Sequence, residues 1–71
     1  MKKNDEILNG NSCLNRALPE EMLFILLGRD KAAPNTIRFW AKERVRLGKN
    51  RKSDRQIIEA LFCADKMEES Q

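Results

Sequence analysis

Arg38, Lys42, Arg46 and Lys49 fall at i, i+4, i+8 and i+11, a spacing that sets four cations on one face of a helix. Arg51, Lys52 and Arg55 carry the basic run through the turn that follows. Such a face concentrates anions and steers them in, and its arginines can grip phosphate oxygens two at a time. The same pattern also describes a solvated face turned away from a core. Two further arginines stand apart. Arg44 falls on an apolar stripe, where a buried guanidinium needs a partner; Glu59 and Asp65 are the expected carboxylates, and without one Arg44 becomes a ligand contact. Arg29 belongs to Gly28-Arg29-Asp30, a corner before a helix start whose backbone N–H groups can face an anion. The candidate ligand-binding residues are therefore Arg29, Arg38, Arg44, Arg46, Lys49 and Arg51.

Catalysis has little to work with. The 71 residues include no histidine and no tyrosine, so the usual neutral-pH general base and the commonest metal ligand are missing. Cys13 and Cys63 are the whole thiol inventory, and two thiols cannot complete a zinc site that wants about four ligands. Cys63 reads as a small buried hydrophobe and Cys13 as exposed. The expectation is a non-enzyme without catalytic residues, metal or cofactor.

Hydrophobic residues make up 41% and charged residues 35%, a globular mix in a length that allows one domain. The net charge of +3 is unevenly spread: residues 34–56 carry +6, residues 57–71 carry −3, and residues 1–33 balance. The longest apolar run, Met22 to Leu27, has six residues, far short of the roughly 18 that a membrane span needs. Lys2-Lys3 is followed by Asn-Asp-Glu rather than an apolar signal core. A cytoplasmic, reduced chain is the expectation.

The elements that must carry these residues read as helices. Residues 1–18 are polar and turn-rich, which predicts a loosely ordered arm with at most a helical turn. Residues 19–71 form the helical domain. Pro19-Glu20-Glu21 has the character of a helix start, ahead of Met22–Leu27 and a stop at Gly28. Six apolar residues do not separate helix from strand by periodicity, and the Pro-Glu-Glu start favours helix. Because this run is apolar all round, it predicts a self-association surface. Asp30 can cap the second helix, or that helix can begin at Pro34; its body is Thr36 to Leu47, ended by Gly48. Ile37, Trp40, Ala41, Arg44 and Val45 make its inner stripe, so Trp40 is expected in the core, with a stacking surface as its second reading. Ser53-Asp54-Arg55-Gln56 reads as a capping box for a last helix from about Asp54 to Met67, buried through Ile57, Ile58, Leu61, Ala64 and Met67. The sum is an all-α fold: a small three-helix domain with an N-terminal arm, expected to be oligomeric.

Taken together, Leu27-Gly28-Arg29-Asp30, Ala33-Pro34, Ile37-Arg38-Phe39-Trp40-Ala41, Arg44, Leu47-Gly48-Lys49-Asn50 and Ile57-Glu59-Ala60-Cys63-Ala64-Met67-Glu68 form a pattern. Over residues 19–69 it resembles small uncharacterised proteins encoded by tailed bacteriophages and prophages. That resemblance implies a bacterial host cytoplasm and an accessory gene, and it brings no fold or site with it. Such proteins commonly work by binding. The expected function is a non-catalytic accessory protein that holds an anionic nucleotide-like ligand on the basic face, sequestering a host defence signal. The alternatives are a nucleic-acid-binding module or an inhibitor of a host protein anchored by the first helix and Phe39.

Overall fold

A computed structural model describes residues 2–71. The chain is all-helical, with no strand among the described residues. Two short helices, α1 (Lys3–Leu8) and α2 (Cys13–Arg16), precede two long ones, α3 (Ala33–Arg46) and α4 (Arg55–Glu69). α1 packs on α2 and α3 packs on α4.

The arm is more structured than its polar composition suggests. Asn15 donates from Nδ2 to the carbonyls of Glu6, Ile7 and Asn9, each at 2.9 Å. Ser12, buried, donates to the Glu6 carbonyl at 2.7 Å and accepts the Asn15 N–H at 3.2 Å, capping α2. One asparagine and one serine thus satisfy the carbonyl end of α1 and the amide end of α2.

The predicted first helix does not form. Pro19 instead takes the second position of a β-turn, closed by the Glu21 N–H donating to the Leu18 carbonyl at 3.0 Å. The Glu21 carboxylate accepts the Leu18 N–H at 3.0 Å, which completes the turn. Met22–Leu27 then runs on without helix or strand hydrogen bonds. The reason is physical. A helix this short is unstable unless one face is packed, and among the described residues no element covers most of these side chains: Met22 is 95% exposed and Phe24 85%.

α3 starts at Ala33, with Pro34 in its first turn. Asp30 lies two residues before the cap position, Ala32, and accepts the Ala32 N–H at 2.9 Å. Gly48 stops α3 with φ of 73°, a left-handed conformation that costs any residue with a Cβ. α4 also differs from expectation at its start. Ser53 and Gln56 form no capping box; the Asp54 carboxylate accepts the Arg51 N–H at 2.9 Å and the Asn50 amide at 3.0 Å, while Gln56 bonds Asn50 at 3.1 Å. The C-terminal end is pinned rather than frayed, since Gln71 donates to the carbonyls of Gly28 (3.1 Å) and Asp30 (2.8 Å).

The core is small. Ala33, Ala41, Ile57 and Ala64 are its buried apolar residues, and the alanines let the two long helices approach closely. Trp40 is not in it: the ring lies at the surface beneath the Arg44 guanidinium, 5.8 Å from centroid to Cζ. Ile57 is the one large side chain in this core. Ile57→Ala is expected to cost about 2–3 kcal/mol by urea unfolding, and Gly48→Ala about 1 kcal/mol. The exposed Ile58→Ala should cost well under either.

Candidate anion-binding groove

Arg38 is the polar tie between the long helices. Its guanidinium donates to Asp65 and Glu68, both at 2.8 Å, and to the Asn35 side chain at 3.0 Å. The side chain is 29% exposed, so the fork lies along the helix seam. Its hydrogen bonds to Glu68 and then Asp65 raise the Arg38 pKa further, which fixes its charge. Next along α3, Arg46 forms a two-pronged pair with Glu43 at 2.9 and 2.8 Å. That pair holds the Glu43 carboxyl below its ordinary value and raises Arg46. Asp54 is likewise lowered, first by the Arg51 backbone N–H and then by the Asn50 side chain.

Between α3 and α4 lies an open groove of about 670 Å³. Its floor is apolar, made by Ala41, Val45, Ile57 and Leu61. Its rim carries Arg38, Lys42, Arg46 and Lys52, with Asp65 as the acidic member. Lys42 and Lys52 form no ion pair among the described residues. They are the rim's uncommitted cations, while Arg38 and Arg46 already serve carboxylates of their own chain.

The groove brings together two of the six candidate residues, Arg38 and Arg46. Arg29, Arg44, Lys49 and Arg51 do not line it. Arg44 has neither expected carboxylate: Asp65 belongs to Arg38 and Glu59 to Arg55, at 2.7 Å. Arg44 donates to Asn50 at 2.7 Å instead and lies over Trp40. The sequence marks Asp65 as a partner for an α3 arginine but gives no way to choose between arginines two turns apart. Lys42 and Lys52 belong to the basic face in sequence but are not among the candidates. The signal that finds Lys42 is the i, i+4 step from Arg38, combined with the apolar stripe beside it; Lys52, in the turn beyond α3, carries no such mark.

No family model, curated protein or solved structure matches this chain. Among the described residues, no helix is long and apolar enough to cross a membrane.

Two carboxyls with lowered pKa give a sign to the pH dependence. A carboxylate favoured in the folded chain adds stability above its unfolded pKa and loses it as pH falls through the folded one. Glu43 and Asp54 both stabilise in this sense. Thermal stability should therefore be level near neutrality and fall below about pH 4. Asp54→Asn should lower the stability at pH 7 and flatten the acid limb of a melting-temperature series. An acid limb identical to that of the parent chain would refute the assignment.

Proposed function

We propose that this protein is a non-catalytic binder of an anionic, nucleotide-like ligand held in the groove between α3 and α4. The observation that carries this reading is an apolar floor under a cationic rim. A nucleotide presents the complementary pair, a flat base and a phosphate. The base would lie on Val45 and Leu61, above the buried Ala41 and Ile57, replacing water over apolar surface. Lys42 and Lys52 would meet the phosphate, and Arg38 and Arg46 would add field from positions already held by their carboxylate partners. The volume is in the range that takes a small molecule.

The resemblance to phage and prophage proteins supplies a purpose. In an infected bacterium a binder without catalysis acts by holding its ligand, and sequestering a nucleotide signal of host defence is the role we assign. Extended nucleic acid fits less well, because the basic face is backed by the acidic second half of α4 and two of its arginines are bridged to carboxylates.

Calorimetric titration with adenosine and guanosine 5′-phosphates, with inorganic phosphate and with a single-stranded oligonucleotide tests this. Nucleotides should bind more tightly than phosphate alone. Lys42→Ala with Lys52→Ala should raise Kd by about tenfold or more with the helical circular dichroism unchanged. Equal affinity in the double variant overturns the groove. Binding of the oligonucleotide alone, weakening steeply with salt, replaces the nucleotide reading with nucleic acid.

A further inference from the structure

The groove between α3 and α4 has two unlike ends. α4 runs back along α3, so Arg38 lies beside Asp65 and Glu68 near the end of α4, while Arg46 and Lys52 flank the turn that joins the helices. Arg38 and Arg46 are eight residues apart, which at about 1.5 Å per residue separates the ends by about 12 Å along α3. At the fork end one guanidinium meets two carboxylates, each at 2.8 Å, which leaves an excess of one negative charge. At the turn end Arg46 is balanced by Glu43, and Lys52 is left with an unpaired positive charge; Lys42, halfway along, adds another. Asp54 of the turn is bonded to Asn50 and to the Arg51 N–H and does not line the groove.

This asymmetry orients an anion. A phosphate is drawn toward Lys52 and Lys42 and repelled from the fork. In a nucleotide the sugar joins the phosphate to the base, so a phosphate at the turn end lays the base over Val45 and Leu61 and sends its outer edge to the fork end. The groove residue that meets it there is Asp65. Its Oδ1 accepts from Arg38, while its Oδ2 accepts no hydrogen bond among the described residues, and the residue is exposed. A carboxylate oxygen takes a donor and opposes a second acceptor.

We propose that Asp65 discriminates among bases: the groove takes nucleotides whose base carries an exocyclic amino group, which donates to Asp65 Oδ2 while the phosphate lies at the Lys52 end. This rests on the nucleotide reading of the groove and adds to it the direction of the ligand and the residue that reads its far edge. A carbonyl edge in that place would set acceptor against acceptor, and a bare edge would leave the carboxylate without a new partner. Glu68 supplies a natural control, because it bonds the same guanidinium but does not line the groove.

Calorimetric titration of the full chain with matched pairs tests this: adenosine against purine riboside 5′-phosphate, and guanosine against inosine 5′-phosphate. Within each pair the members differ by one amino group. The amino-bearing member of at least one pair should bind about tenfold more tightly, and the pair that shows it names the base. Asp65→Ala should remove the difference. Glu68→Ala, which loosens the same fork, should keep it, and Lys52→Ala should weaken both members alike and keep it too. If the alanine variant at 65 does not fold, Asp65→Asn, which preserves the shape and removes the charge, should reduce the preference. Nucleotides that bind and depend on Lys42 and Lys52, but with equal affinity within both pairs, overturn the role of Asp65 and leave the groove reading standing. A difference that survives Asp65→Ala overturns it as well, and so does a preference that follows the ribose 2′-hydroxyl instead, read with 2′-deoxyadenosine 5′-phosphate. Absence of binding by every nucleotide overturns both readings together.

Discussion

Arg38 stands between Asp65 and Glu68, 2.8 Å from each, and this fork bridges α3 and α4 along an alanine-lined seam. Alanines contribute little apolar burial, so the helix pair leans on geometry: close approach at Ala33, Ala41 and Ala64, one isoleucine to fill the gap, and a guanidinium that bonds both carboxylates at once. The fork also sets what the groove can offer. It takes the charge of Arg38 into the fold, as Glu43 takes that of Arg46, and leaves Lys42 and Lys52 facing solvent. A basic face of the sequence is thereby divided into cations that hold the structure and cations that are available. Counting positive charges along α3 cannot make that division.

What the sequence reveals well is what local chemistry decides. The α3 body, its stop at Gly48 and the course of α4 follow from 3.6-residue periodicity and from a glycine that alone takes φ of 73° without strain. What it hides are choices between equally good local partners. Pro19-Glu20-Glu21 suits a helix start and a β-turn alike; the turn forms because no other element covers one face of the run behind it. Ser53 and Gln56 have the spacing of a capping box, but Asn50 bonds Asp54 and Gln56 together with Arg44, so a network centred on one asparagine outcompetes the box. Polar composition likewise conceals the arm's order, which depends on the three carbonyls that Asn15 reaches across six to nine residues.

The candidate site divides in the same way. Its direction, a cationic face on α3, is readable from i, i+4 spacing. Its floor is not, because Ala41 and Val45 become a floor only when Ile57 and Leu61 of the next helix stand opposite. Arg44 shows how a buried-charge argument can name the right kind of need and the wrong partner. The guanidinium is half-buried, as its place on the stripe demands, and an asparagine side chain and the face of an indole meet the need in place of a carboxylate.

One imbalance joins the small core to the exposed segment. The chain carries large apolar side chains in number, yet Phe24, Ile25, Phe39, Leu47, Ile58 and Phe62 all face solvent while three of the four core residues are alanine. Small domains have too little interior to bury their apolar residues, and those that persist gain it from staples or partners. Disulfide staples are absent from the described residues: neither Cys13 nor Cys63 forms one.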